Sequence, residues 1–419
     1  MSYSSTLTGA SPGVVSLSCA QKGPDLVNLR EPDASLALYV HWPFCVSKCP
    51  YCDFNSHVRA TVDQNAWREA LLADLNHEAG LLPGRELTSI FFGGGTPSLM
   101  EPATVDAIIT AATTHWAPAA NLEITLEANP NSVEAASFAD LSTAGVNRLS
   151  LGLQSFDDAS LGFLGRAHSA IEGWRALEAA QRNFRRVSFD LIYALPGDTE
   201  SNWSATLAQA LSLGASHLSL YQLTIEAGTR FATMVARRQF EPLDGEASAA
   251  LFELTDAMTS AAGMPAYEIS NHARPGQESR HNLTYWRYGD YAGIGPGAHG
   301  RRLGMRTVRH KKPENFISAI QRNGHGIAEE ELLAASQAAD EALVMGLRLR
   351  EGIDPAAIAR RFALCELVDW RRVDQLANTG HLTREGTHIS LTAKGRLVLD
   401  HILGEIAAPE IPVRASAVA

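Results

Sequence analysis

His41-Trp42-Pro43-Phe44-Cys45-Val46-Ser47-Lys48-Cys49-Pro50-Tyr51-Cys52-Asp53-Phe54 places three of the chain's five cysteines within eight positions. C-x3-C-x2-C is too tight for a long-range disulfide framework and suits thiolates gathered on one inorganic centre. On the residues alone two centres stay open. A tetrahedral zinc site needs a fourth ligand, for which His41, His57 and Asp53 are near in sequence. An iron-sulfur cubane held by three thiolates leaves one iron open to a small molecule. Cys19 and Cys365 stand apart and read as an unpaired tail thiol and a small buried hydrophobe.

The stretch directly follows a β-branched and aromatic run at 36–41, and similar runs recur at 88–92, 122–127, 148–153, 187–192 and 217–222. Amphipathic stretches at 64–79, 101–115, 132–143, 170–183 and 201–213 separate them. Six strands with helices between them predict an α/β fold, a partial (β/α)6 barrel around a parallel sheet. In such barrels chemistry sits on loops after the carboxyl ends of strands, where the cysteines lie.

After Gln222 the alternation stops. A mixed region carries 266–270, a Gly-rich turn at 293–300 and a basic run at 301–312, before helical patterns return at 313–322 and from 338. Residues 353–403 read as helices plus a short hairpin (381–382 with 388–391), an α-rich, winged-helix-like extension. The predicted organisation is therefore a Ser/Gly/Pro-rich disordered tail at 1–35, the barrel at 36–230, a linking region at 231–340, a helical domain at 341–405 and a frayed tail at 406–419.

Bulk properties narrow the function classes. A formal net charge of −11 disfavours sequence-independent binding of nucleic acid, which needs clustered Lys and Arg on phosphate. No apolar run approaches the ~18 residues of a membrane span. The N-terminus lacks a basic segment before its short apolar stretch at 14–17, so no secretory signal is read, and a cytoplasmic address is expected.

Polar or glycine-rich signals recur at successive strand ends. Phe91-Phe92-Gly93-Gly94-Gly95-Thr96-Pro97 closes the second run, and its glycines let backbone approach a ligand where a Cβ would collide. Glu127 ends the third, Gln154 the fourth, and Asp190 lies in the fifth. One polar residue at a strand end is commonly a satisfied loop contact, whereas several in succession mark one lined pocket.

C-x3-C-x2-C with an aromatic at Tyr51, followed by GGGTP and these strand-end residues, resembles the radical S-adenosylmethionine (SAM) enzymes over residues 36–403. The resemblance implies that Cys45, Cys49 and Cys52 hold a [4Fe-4S] cluster whose open iron takes the amino and carboxylate groups of SAM. It also implies that Tyr39, Gly94, Gly95, Thr96, Glu127, Gln154, Arg166 and Asp190 line SAM, with Tyr51 beside the adenine. The residue types suit those tasks: a carboxylate for the amine, a guanidinium for a carboxylate, Asp190 for hydroxyls. Arg166, on a Gly-Arg-Ala-His turn, would by itself be read as a solvated charge.

Within that superfamily, Tyr39-Val40-His41-Trp42-Pro43-Phe44-Cys45 and Leu195-Pro196-Gly197 resemble the coproporphyrinogen III oxidase-like group. Its oxygen-independent oxidases carry a further cysteine two places after the motif, where this chain has Phe54, which puts oxidase activity in doubt. Haem chaperones of the HemW type lack that cysteine and carry an H-N-x-x-Y-W motif, present here as His281-Asn282-Leu283-Thr284-Tyr285-Trp286. The resemblance thus implies haem as a ligand, associated with His281, Asn282, Tyr285 and Trp286, and an acceptor protein, peripheral membrane association following if that acceptor is membrane-bound. An imidazole can ligate iron, and two aromatics can stack on a macrocycle. His299 is the reserve ligand. The basic run at 301–312 is expected as a solvated face, with pairing to haem propionates or an acidic partner as the rival reading.

Overall fold

The computed structural model describes residues 34–407. Cys19, residues 1–33 of the tail expected at 1–35 and the end of the chain from 408 lie outside the described residues. Six strands follow the sequence expectation: β1 (Ser35–Trp42), β2 (Glu86–Gly94), β3 (Ala117–Ala128), β4 (Arg148–Gln154), β5 (Arg186–Tyr193) and β6 (His217–Gln222). They pair in parallel in that order. Helices fill the crossovers and bury the outer face, which is why the strands read as near-continuous apolar runs. Leu36, Leu38, Val40, Ile90, Phe92, Leu126, Leu149 and Leu218 have at most trace exposure and belong to one core. Each large side chain so buried contributes about 1.5–3 kcal/mol.

Two crossover helices show why their boundaries were readable. Ser169 and Thr199 each cap a helix reciprocally with the third residue inside it, over Ala170–Asn183 and Glu200–Ser212. The helix expected over 132–143 is instead broken into Ser132–Ala136 and Phe138–Thr143. At the break the Ser137 hydroxyl donates to the Glu134 carbonyl at 2.8 Å, a local alternative to the helical ladder.

The sheet does not end with the sixth strand. β7 (Asn271–Ala273) adds antiparallel to β6. On the other edge β8 (Tyr291–Ile294) lies parallel to β1, and β9 (His299–Arg302), β10 (Met305–Arg309) and β11 (Ile327–Leu332) continue antiparallel. The result is one eleven-stranded sheet curved into a partial barrel. The 231–340 stretch, expected as a linking unit, is therefore not set apart: its strands complete the barrel sheet, and Ala292, Ile294 and Phe316 join the barrel core. A second core takes Tyr288 and then runs from Leu333 to Ile406, over the helices Ala335–Leu347, Pro355–Arg361, Trp370–Asn378 and Leu399–Ile406 and the hairpin β12 (Leu382–Glu385) with β13 (His388–Leu391). That is the α-rich extension.

Two expectations are corrected. Cys365 is exposed rather than buried. The basic run is a solvated face only in part: Arg306, Lys311 and Lys312 are exposed, but Arg301, Arg302 and Arg309 are 6%, 4% and 0% exposed. Arg309 pairs with Asp74 (3.3 Å) and Glu78 (2.5 Å), and Arg302 with Glu78 (2.7 Å) and Glu330 (2.6 Å). Asp74 and Glu78 sit one turn apart on the helix Gln64–Leu81, so the strands β9 and β10 bring their cations to acids already turned inward. Among the described residues no helix is long and apolar enough to cross a membrane.

Candidate functional site

The carboxyl ends of the parallel strands open into a cleft of about 400 Å³. Cys45, Cys49 and Cys52 line it, on a loop that starts where β1 ends and is pinned by Cys52 N–H donating to the Cys49 carbonyl at 3.2 Å. All three thiols are half-buried, and burial raises those of Cys45 and Cys52. Among the described residues no three His, Cys, Asp or Glu side chains converge as the ligands of a single ion do. Three thiolates on one rim suit the three-cysteine holding of a cubane, which leaves one iron open.

The cleft floor comes from the next strands. Gly94 has φ +112° and a Cβ there would fall 2.6 Å from the His41 ring, while one on Gly95 would fall 2.7 Å from the Phe44 carbonyl oxygen. A residue at Gly94 would have to displace the His41 ring on β1, and one at Gly95 the Pro43–Phe44 backbone that leads into the cysteine loop, while Gly95 N–H donates to the Trp42 carbonyl at 2.7 Å. Gly95→Ala should accordingly lower the cluster content recovered on reconstitution while the far-UV circular dichroism stays that of the parent.

Glu127 accepts from Gly94 N–H at 3.2 Å. Burial, reinforced by the nearby Asp190, raises its carboxyl to about 8. Asp190 is itself raised to about 6, chiefly by burial. Two acids held toward neutrality in one cleft are matched to a cationic or hydroxyl-bearing ligand.

Arg166 is not a solvated charge. Its guanidinium donates to Asn129 Oδ1 (2.7 Å) and the Gly152 carbonyl (3.0 Å), and reaches Cys49 Sγ and the Tyr51 hydroxyl at 3.4 Å each. Thr96 Oγ1 lies 3.5 Å from Cys45 Sγ. Gln154 holds φ +67°, a conformation unusual for a residue with a Cβ, at the strand end where its side chain meets the cleft. Gln154 Oε1 and Arg166 Nε are buried with no hydrogen-bond partner. Such orphaned polar atoms at a cleft mark places for a ligand's own polar groups.

Tyr51, Gly94, Gly95, Thr96, Glu127, Gln154, Arg166 and Asp190 thus share one cleft with the three cysteines. Tyr39 does not join them: its hydroxyl is hydrogen-bonded to His41 Nδ1 at 2.9 Å and its ring packs near Phe91 and His281. Asn129, which donates to Thr96 Oγ1 at 3.0 Å and holds Arg166, was not foreseen, although it stands two residues after Glu127. Tyr221 and Gln222 also line the cleft, and carrying the strand-end rule to the sixth strand would have found them.

The HNxxYW segment forms the helix Arg280–Trp286, and the structure places it outside this cleft. His281 is 1% exposed and stacks on Phe91 at 4.9 Å. Its Nδ1 is hydrogen-bonded to Ser89 Oγ (2.9 Å) and its Nε2 to the Tyr285 hydroxyl (2.6 Å). Burial lowers its pKa to about 3, so the ring is neutral. With both nitrogens engaged, His281 presents no lone pair to an iron in this conformation. Asn282 donates to the Tyr267 hydroxyl at 3.3 Å, and the Arg348 guanidinium covers the Trp286 ring at 4.7 Å, so the motif joins the barrel to the C-terminal unit.

Comparison with known proteins adds a family. A model of the radical SAM superfamily matches residues 39–210, and a model of the HemN C-terminal domain matches 333–398. The heme chaperone HemW of Escherichia coli is 38% identical over 88% of this chain and 97% of its own length. Radical S-adenosyl methionine domain-containing protein 1, mitochondrial, of Bos taurus is 38% identical over 88% and 86%. Among solved structures, the coproporphyrinogen III oxidase HemN of Escherichia coli superposes with a TM-score of 0.74 over 90% of both chains at 24% identity, a likeness of fold.

Proposed function

The chain belongs to the radical SAM superfamily, in its HemW-type branch, and on that premise we propose that it binds haem and hands it to an acceptor protein while carrying a [4Fe-4S] cluster and SAM. The observation that carries this reading is similarity along nearly the whole length of proteins described as heme chaperones, in a chain with Phe54 where the oxidases have their further cysteine.

In this reading Cys45, Cys49 and Cys52 hold the cluster, which when bound supplies an open iron and a low-potential electron. Glu127 faces the ligand's amino group, Arg166 and Gln154 turn their unpartnered atoms to its polar groups, and Gly94 and Gly95 let it approach the backbone. Tyr51 and Ile192 exclude water from the same cleft. The haem is cargo, and a cytoplasmic address belongs to the proposal.

The test is a paired assay on protein reconstituted without oxygen. Saturable haem binding with no decarboxylation of coproporphyrinogen III is expected. Turnover of coproporphyrinogen III by a chain that does not take up haem would replace this reading with the oxidase one.

The acid pair gives a pH dependence. Ionised, Glu127 accepts hydrogen bonds from the iron-bound amino group, whereas its carboxyl stays protonated up to about 8. SAM affinity is therefore expected to fall as pH drops below that value, approaching about tenfold per pH unit. Equilibrium dialysis between pH 6 and 9 measures it, and Glu127→Gln should flatten the slope. A wild-type affinity constant over that range would remove Glu127 from the amine.

A further inference from the structure

A chaperone needs a place where an iron porphyrin can be held and let go, and His281 offers none in this conformation. We propose, resting on the chaperone reading above, that haem is held at the cysteine end of the concave sheet face, with the His299 imidazole on its iron and Lys311 and Arg306 toward its propionates.

The sheet puts His299 there. β8 runs parallel to β1, so its carboxyl end lies beside the cysteine loop, and β9 returns antiparallel with His299 as its first residue. Tyr39 pairs with Gly293, and Tyr291 with both Ala37 and Arg301. Residues paired across strands share a face, and so do residues two apart along one. Tyr39, Tyr291, Arg301 and His299 therefore look to the same concave side. His299 is exposed, and among the described residues its ring has no hydrogen-bond partner, in contrast to His281.

The charges around it are Lys311, Arg306 and Glu329. Lys311 is exposed and its ammonium has no partner among the described residues. Arg306 bridges Glu331 at 2.7 Å, with both side chains about half exposed, and such a surface pair exchanges partners at little cost. Asn55 ties this edge to the cysteine loop, its amide donating to the carbonyls of Pro296 (2.9 Å) and Lys311 (3.0 Å). Its neighbour Phe54 is 61% exposed and Val58 52%. An unengaged imidazole, cations at hand and exposed apolar side chains on the adjoining loop are what an amphiphilic, dianionic iron macrocycle requires. An exposed shelf, unlike a closed pocket, also lets the cargo leave.

The experiment is a titration of the cluster-loaded protein with ferric haem, followed at the Soret band, for wild type, His299→Ala, His281→Ala and Lys311→Glu, with iron and sulfide content measured on each. His299→Ala should lose the wild-type band position and weaken binding about tenfold or more, with added imidazole restoring the band. Lys311→Glu should weaken binding several-fold and leave the band where it was. Wild-type position and affinity in His299→Ala would overturn the assignment and leave the chaperone reading standing, and so would loss of the band in His281→Ala alone. Absence of saturable binding by the wild type would overturn both.

Discussion

Cys49→Ala is expected to take the anaerobically reconstituted protein from about four irons and four labile sulfides per chain to close to none. The cubane reading leaves no spare thiol: among the described residues Cys45, Cys49 and Cys52 are the cysteines that line the cleft. Two thiolates cannot hold three corners of a cubane, so loss should be nearly complete rather than proportional. SAM binding should fall with the cluster, because its amino and carboxylate groups would lose their iron, while Glu127, Arg166 and Gln154 remain. Iron and sulfide assays with equilibrium dialysis read both effects. A variant that keeps its metal, or a wild type that purifies with one zinc per chain and no sulfide, would return the motif to the structural zinc reading.

The second large effect is on stability. Arg309→Ala would leave Asp74 and Glu78 facing each other in a region with no solvent access. Removing one partner from a buried ion pair costs about 3–5 kcal/mol, because the remaining charge is desolvated and uncompensated. Asp74 keeps its hydrogen bonds from Gly295 and Gly326 N–H, at 3.1 and 3.0 Å, and Glu78 keeps Arg302, so the lower part of that range is expected. Lys311→Ala, two residues on and exposed, should change stability by less than about 0.5 kcal/mol. Thermal or urea midpoints of the two variants give the comparison, and equal midpoints would mean that the basic strand is a solvated surface after all.

That strand shows where sequence reading stops. The six barrel strands were readable because burial on both faces leaves apolar runs, and the helices between them because Ser169 and Thr199 write their starts. The cleft was readable for a similar reason: strand ends in a parallel barrel converge, so Gly94, Glu127, Gln154 and Asp190 could be assembled without coordinates. What failed depends on pairing across long separations. Arg309 looks like surface charge until Asp74 and Glu78, over two hundred residues earlier, are brought beneath it. His281 looks like a ligand until Ser89 and Tyr285 are seen to occupy its two nitrogens. Asn129 is one more polar residue before a proline until it is found holding Arg166. The 231–340 stretch gave no barrel signal because its strands are short, mostly antiparallel, and lack both the helical spacers and the long apolar runs.

Delivery is the most demanding part of the account. The direct measurement loads the cluster-containing chain with isotope-labelled haem and mixes it with haem-free membranes and haem-free soluble protein from haem-starved cells, with serum albumin as a passive sink. The account predicts that label moves to a haem-requiring acceptor faster than it escapes to albumin, and that Cys49→Ala removes the difference. Label that stays on the chain, or leaves at the same rate to acceptor and albumin, would contradict it.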